Sequence, residues 1–167
     1  MQVTCVCPQS YRPAADVLMF AHKYGSAFHL TADPAEGVQD ADVVATAVWN
    51  TAKPGTPESE QRLRDFVGYQ LTSKLLESAK PDVMVLHCLP AHRGEEISSA
   101  VFEQHAPEIF DEAENRLHVQ KAVLAHSSGG EIKTERQQGR RTSFVRRPCF
   151  FIVGDLKKRS AAVHFDH

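Results

Sequence analysis

The sequence predicts an α/β fold built on an open, mainly parallel, doubly wound sheet. Two almost wholly apolar runs, 42–49 and 83–87, are typical of strands buried on both faces of a parallel sheet. Two further strands are predicted at 2–7 and 28–31, where β-favouring residues are concentrated. Helical patterns separate these strands, and such alternation favours parallel pairing. In sheets of this class ligands bind beyond the carboxyl ends of the strands.

The helices are predicted from the spacing of apolar residues and from residues that begin or end a helix. Gly25 follows an apolar stripe and can end the first helix. Asp33, followed by proline, is a good N-terminal cap for a short helix, and Thr72 can cap another. The remaining predicted helices are defined by their apolar periodicity. Apart from the short helix after Asp33, the predicted helices cover 14–24, 57–66, 72–79, 98–104 and 112–124.

The composition is that of an ordinary globular protein. The chain has 167 residues, of which 42% are hydrophobic, and no apolar run approaches the ~20 residues that span a bilayer. The first residues do not form a secretory signal. Four cysteines lie apart, without paired metal-ligand spacing, which favours reduced thiols and a cytoplasmic location. We therefore expect no membrane association, no metal and no cofactor.

The charge distribution divides the chain into two parts. Residues 126–167 carry nine basic and four acidic side chains, a net charge of +5, whereas residues 1–125 are acidic. Within the second part, 149–153 has the pattern of a strand. We predict a folded domain at 1–125 and a tail at 126–167 that is disordered, loosely attached or non-native. A basic tail can touch nucleic acid, but a solvated extension is the favoured interpretation, because basic runs are weak signals.

Two clusters of chemically active residues follow the last predicted strand of the domain. The first, HCLPAHRGEE at 87–96, brings a thiol, imidazoles, a guanidinium and carboxylates to the carboxyl end of that strand. In the second, at 111–121, Glu112, Arg116 and Gln120 are spaced by four and share one helical face. A polar loop and a solvated helix face are the alternative interpretations, although the strand's carboxyl end favours a ligand site.

Together these segments closely resemble the ornithine carbamoyltransferases. Besides HCLPAHRGEE, the matches include FDEAENRLHVQK, LTADP, ADVV and FVGYQ, and they occur in the order of that family. The resemblance covers about three-quarters of the chain, from Met1 to Leu124. It implies the Rossmann-like second domain of a carbamoyltransferase, the domain that binds the amino acid.

The resemblance implies a reaction and a set of residues that carry it. A carbamoyl group passes from carbamoyl phosphate to the side-chain amine of ornithine, giving citrulline and phosphate. Cys88 would lie beside the reacting amine, and Arg116 would contact the carbamoyl oxygen. Leu89 would offer its carbonyl to the carbamoyl nitrogen, next to a cis Leu89–Pro90 bond. The substrate contacts implied in this way are His87, Leu89, Pro90, Trp49, Thr51 and Ala52.

Two departures from the family pattern shape the expectations. The family has an aspartate opposite the substrate's α-ammonium where this chain has Ala47, and Lys53 nearby would repel a cationic substrate. The carbamoyl-phosphate half, with its phosphate-binding loop, is not found in this sequence, nor is the first strand–helix unit of the amino-acid half. A separate N-terminal half is therefore a candidate partner. The family also implies a homotrimer.

Three interpretations follow from these departures. The favoured one is a truncated carbamoyltransferase that is inactive alone, because the transfer needs a phosphate cradle. The second is one half of a split enzyme, and the third is a non-catalytic binding module. A carbamoyltransferase for another amine, such as putrescine or an acylated ornithine, is a further alternative, since neither would need the missing aspartate.

Overall fold

The computed structural model describes residues 1–128 and the backbone of Cys149–Ile152. Its centre is one five-stranded sheet with the strand order β2-β1-β5-β3-β4, in which every pair is parallel. This confirms the predicted open, parallel α/β fold. Each strand has four residues: the strand at 28–31 has the predicted bounds, and the other four are shorter than predicted. The strands are β1 (Val3–Val6), β2 (Phe28–Thr31), β3 (Val43–Thr46), β4 (Met84–His87) and β5 (Cys149–Ile152).

Strand β5 lies between β1 and β3, although it comes last along the chain. Cys149 pairs with Val3 of β1 on one side and with Val43 of β3 on the other. Among the described strands, β5 is what joins the pair β2-β1 to the pair β3-β4. The predicted strand at 149–153 is thus present as Cys149–Ile152. The rest of the predicted tail beyond Ser128 lies outside the described residues.

The helices begin at the residues that the sequence indicated as caps. The Asp33 side chain accepts a hydrogen bond from the Ala35 amide at 2.9 Å, and Thr72 accepts one from Leu75 at 3.2 Å. The last helix starts earlier than predicted, because a proline in its first turn is compatible with a helix start. The helices are α1 (Ala15–His22), α2 (Pro34–Val38), α3 (Pro57–Asp65), α4 (Ser73–Leu76), α5 (Ser99–Gln104) and α6 (Ala106–Ser127).

The core forms around the sheet from side chains of the strands and of the segments that follow them. Val44 of β3 and Val85 of β4 are fully buried, whereas β2, at the outer side of the sheet, has no buried residue. None of the helices in the described part of the chain has the length and apolarity of a membrane-spanning segment. The largest fully buried apolar side chains are Phe66, Leu71, Ile97, Ile109, Val6, Val38, Val44, Val85 and Val101.

Helix α6 lies along the free edge of β4 and satisfies its outward-facing backbone groups. The Val85 amide donates a hydrogen bond of 3.0 Å to Oε2 of Glu108. Glu108 is held in turn by the His105 ring, whose Nδ1 lies 2.8 Å away. An edge strand otherwise exposes a row of unpaired N–H groups, so the helix closes this side of the sheet. The boundary predicted at residue 125 falls inside α6, which continues to Ser127.

Candidate active site

The carboxyl ends of the strands bring three chain segments to one edge of the sheet. Because the strands are all parallel, Val6, Thr46 and His87 end at the same edge. The segments that continue from them are those at 7–8, 47–56 and 88–96. This is the edge at which α/β folds of this kind bind ligands.

The segment after β4 forms a tight loop with unusual backbone geometry. The Leu89–Pro90 peptide is cis, which confirms the sequence-based expectation. Leu89 has a φ of 46°, in the left-handed region that a branched side chain rarely adopts. Cys88 is a free cysteine whose residue is exposed at this edge. The loop therefore presents a thiol and a constrained carbonyl beyond the end of the strand.

His87, the last residue of β4, is fully buried and both of its ring nitrogens are engaged. Nε2 lies 3.0 Å from Oε1 of the equally buried Glu96, and Nδ1 accepts a hydrogen bond of 2.9 Å from the Leu89 amide. The imidazole thus has no nitrogen left for a substrate in this arrangement. The geometry favours a supporting role for His87 over the direct substrate contact that the resemblance implied.

Helix α6 runs alongside β4, and successive helical turns lie beside successive pairs of strand residues. Glu108 lies beside Val85 and accepts a hydrogen bond from its backbone amide. One helical turn later Glu112 lies beside His87, whose backbone forms a hydrogen bond with its carboxyl group. Four helical residues span about 6 Å along the helix axis, and two strand residues span about 6.6 Å. Residues four apart on α6 therefore stay beside residues two apart on β4.

Arg116 stands one further turn along the same face of α6. By helical spacing it lies beyond the level of His87, at which β4 ends. The residue is exposed. The approach of its guanidinium to Cys88 and to the Leu89 carbonyl stays a prediction.

Glu112 is the titratable group of this region with a perturbed pKa. Burial raises the pKa of its carboxyl group, and a hydrogen bond to the backbone of His87 partly opposes that rise. Its Oε2 atom is buried and has no hydrogen-bond partner among the described residues. The ionised form of Glu112 is therefore disfavoured. The residue lies on α6, next to the candidate site.

The segment after β3 contributes one core residue and two residues near solvent. Trp49 is 3% exposed, and its ring stacks on Phe66 with centroids 4.6 Å apart. Its carbonyl accepts a hydrogen bond of 3.1 Å from Nη1 of Arg62. The indole is thus packed in the core and has little exposure to solvent. Thr51 is exposed and Ala52 is half-buried, so both are accessible at the edge.

One group of side chains has the composition of a metal site. His92, Glu95 and Glu96 each offer a ligand atom, and these atoms lie within 4.8 Å of one another. Oε1 of Glu96 is already used by His87 and by the His92 amide, at 3.0 and 2.6 Å. The group is explained by the internal bonding of the loop, and we assign no metal to it.

Sequence reasoning did not single out Glu96 or Glu108, although both support the loop or the strand next to it. Glu96 is fully buried, and Glu108 accepts a hydrogen bond from the Val85 amide on the outer side of β4. Charged residues are rarely buried, so composition gave no reason to select them. The available signal was position: Glu96 closes the HCLPAHRGEE segment, and Glu108 precedes Glu112 by one helical turn.

Comparison with known proteins identifies the family of the chain. Residues 1–127 match the sequence profile described as the aspartate/ornithine carbamoyltransferase, Asp/Orn binding domain. An ornithine carbamoyltransferase of Geobacter metallireducens is 53% identical over 122 residues, which cover 71% of this chain and 39% of that protein. This chain therefore spans about two-fifths of the length of such relatives.

Solved structures lead to the same family. The ornithine carbamoyltransferase of Pyrococcus furiosus superposes with a TM-score of 0.68 at 42% identity, over 78% of this chain and 42% of that one. An N-acetyl-L-ornithine transcarbamylase superposes with a TM-score of 0.61 at 28% identity, over 75% and 40% of the two chains. Profile, sequence and fold agree, and the chain belongs to the aspartate/ornithine carbamoyltransferase family.

Proposed function

We propose that this chain carries the amino-acid-binding half of an ornithine carbamoyltransferase site. The observation that supports this most strongly is the loop after β4, which carries the exposed Cys88 and the constrained Leu89 at the carboxyl end of the strand. Arg116, one helical turn beyond Glu112, is proposed to reach the same loop. The reaction joins the side-chain amine of ornithine to the carbamoyl carbon of carbamoyl phosphate. Citrulline and phosphate are the products, and the amine loses a proton.

The three residues have complementary roles in this proposal. The Cys88 thiol lies beside the attacking amine and orients it without forming a covalent intermediate. The Leu89 carbonyl accepts a hydrogen bond from the carbamoyl nitrogen. The Arg116 guanidinium faces the carbamoyl oxygen and stabilises the negative charge that develops there during attack. Thr51, Ala52 and Pro90 would line the amino-acid side of the same cleft.

We further propose that the chain is inactive alone and acts with a separate carbamoyl-phosphate-binding half. Departure of phosphate requires positive charge and backbone N–H groups around it. The sequence of this chain holds no counterpart of the family's phosphate loop. A homotrimer, which the family implies, belongs to the same proposal. Non-catalytic binding gives a different outcome in the experiment below.

The segment after β3 favours an alternative acceptor amine. Ala47 is half-buried and has no carboxylate to pair with an α-ammonium, and Lys53 is exposed in the loop that follows. A buried charge left without its partner costs several kcal/mol. An acceptor without a free α-ammonium would avoid that cost. One solved relative is named for N-acetyl-L-ornithine, and putrescine is a second candidate.

The test is reconstitution of carbamoyl transfer from two chains. The purified chain is mixed with the N-terminal part of the Geobacter metallireducens relative, and ureido product and phosphate are measured with ornithine, N-acetylornithine or putrescine. We expect no turnover from either part alone and turnover from the mixture. Cys88→Ala and Arg116→Ala should remove that turnover. Lys121→Ala, an exposed change on the same helix, should not.

Other outcomes would contradict the proposal. Turnover by the chain alone at an enzymatic rate, lost in Cys88→Ala, would show that the site is complete without a partner half. Ornithine binding by calorimetry, without turnover in any mixture, would indicate a binding module. Preference among the three acceptors decides between ornithine and the alternatives.

A further inference from the structure

We propose that Glu96 is a positioning residue of this site, which acts through His87 and through the His92 amide to hold Cys88 and Leu89 in place. Glu96 touches neither of the two residues directly. The inference rests on the proposed function for the part that concerns the reaction, whereas the loop geometry that it explains is independent of turnover.

The hydrogen bonds assign a specific proton arrangement to the buried pair. The Leu89 amide donates to Nδ1 of His87 at 2.9 Å, so Nδ1 carries a lone pair. The ring proton is therefore on Nε2, which donates to Oε1 of Glu96 at 3.0 Å. A carboxylate that fixes the tautomer of a histidine also strengthens the hydrogen bond made by its other nitrogen. Glu96 thereby tightens the hold of His87 on Leu89.

Leu89 needs such a hold because its backbone is strained. A non-glycine residue in the left-handed region costs about 1–2 kcal/mol, and Leu89 has a φ of 46°. Strained conformations persist where several contacts determine them together. The bond from the Leu89 amide to His87 is one such contact. It fixes the residue whose carbonyl, on the proposed function, meets the carbamoyl nitrogen.

Glu96 also anchors the far side of the loop. The His92 amide donates to the same Oε1 atom at 2.6 Å, and the Gly94 amide donates to the Ile97 carbonyl at 2.8 Å. Cys88 and Leu89 thus lie between His87 and His92, and the buried Glu96 carboxylate is hydrogen-bonded to both of these residues. Glu96 is 0% exposed, so both bonds are shielded from water and their strength is increased.

The first test measures the loop in the chain as it exists. Glu96→Gln keeps the shape and one acceptor oxygen but removes the charge. Charged hydrogen bonds are roughly twice as strong as neutral ones. We therefore expect amide hydrogen exchange at Leu89 and His92 to accelerate by about five- to tenfold. Glu95→Gln, the matched change in the neighbouring residue, should leave both rates within about twofold of the unmodified chain.

The second test needs no variant and remains informative if Glu96→Gln fails to fold. Nitrogen-15 NMR of the histidine rings reports which nitrogen of His87 carries the proton. We expect a neutral ring protonated on Nε2 near neutral pH. A proton on Nδ1, or on both nitrogens, would overturn the assigned arrangement. Equal exchange rates in Glu96→Gln and Glu95→Gln would overturn the positioning role.

The third test separates positioning from a purely structural role in the reconstituted mixture. Glu96→Gln should lower kcat by about tenfold or more, the range for disturbing groups that meet a transition state, with little change in KM. An unchanged kcat would overturn the catalytic part of the inference. If the unmodified mixture makes no product, the proposed function fails, while the exchange and NMR results still decide whether Glu96 holds the loop.

Discussion

Replacement of Trp49 distinguishes a core residue from a substrate contact. Its indole is 3% exposed and stacks on Phe66 at 4.6 Å, with an interplanar angle of 6°. Truncation of a buried aromatic to alanine typically costs about 3–5 kcal/mol. Domains of this size are stable by roughly 5–15 kcal/mol. Trp49→Ala should therefore remove about a fifth or more of the free energy of unfolding.

A conservative variant separates stacking from polar contributions. Trp49→Phe keeps an aromatic ring against Phe66, and the indole Nε1 has no hydrogen-bond partner among the described residues. The expected cost is about 1–2 kcal/mol, from lost volume alone. Urea unfolding followed by far-UV circular dichroism measures both variants, because Trp49 is the sole tryptophan of the sequence and fluorescence would be lost with it. A loss below about 1 kcal/mol in Trp49→Ala, the size of an ordinary surface effect, would refute the core assignment and restore the substrate contact.

Three further predictions concern the sheet, the α6 side and the loop after β3. Deletion of residues 129–167 should lower the thermal unfolding midpoint sharply, because β5 makes four register pairs with β1 and three with β3. Each backbone hydrogen bond contributes about 1 kcal/mol. An unchanged midpoint, measured by circular dichroism, would contradict the strand order. Glu112→Gln should stabilise the chain near neutral pH but not near pH 4. Burial raises the pKa of Glu112 in the folded state, so stability is lost as the pH rises through that pKa, and equal effects at both pH values would exclude this reasoning. Arg62→Ala should cost about 1–3 kcal/mol, since it leaves the buried Trp49 carbonyl without its donor, whereas Glu58→Gln, on a half-exposed partner, should cost under about 0.5 kcal/mol.

Local sequence patterns were sufficient to predict where helices and strands form. Apolar runs and alternation predicted the strands, and Asp33 and Thr72 predicted two helix starts whose capping bonds are present. The strands proved shorter than the runs. In 42–49 the apolar character continues after the chain leaves the sheet at Thr46, because Trp49 packs in the core by itself. Hydropathy reports burial, and it does not separate a strand from a buried loop.

The parts of the site that sequence missed depend on contacts between distant or unexpected partners. A strand pattern at 149–153 could be seen, but its neighbours β1 and β3 could not, because pairing partners are not encoded locally. The buried Glu96 was missed because a glutamate is normally expected at the surface. Arg116 was placed by helical spacing and by the family resemblance together.

The central position of β5 has a consequence for how the chain folds. Strand β1 is the first and β5 the last of the described strands along the sequence, so their pairing has a very large sequence separation. Folding is slower when contacts join distant parts of a chain. Until β5 arrives, β1 and β3 each present an unpaired edge, and such edges pair readily with other chains. Slow folding should therefore be accompanied by concentration-dependent association of the incompletely folded chain, which a chaperone that shields strand edges would suppress.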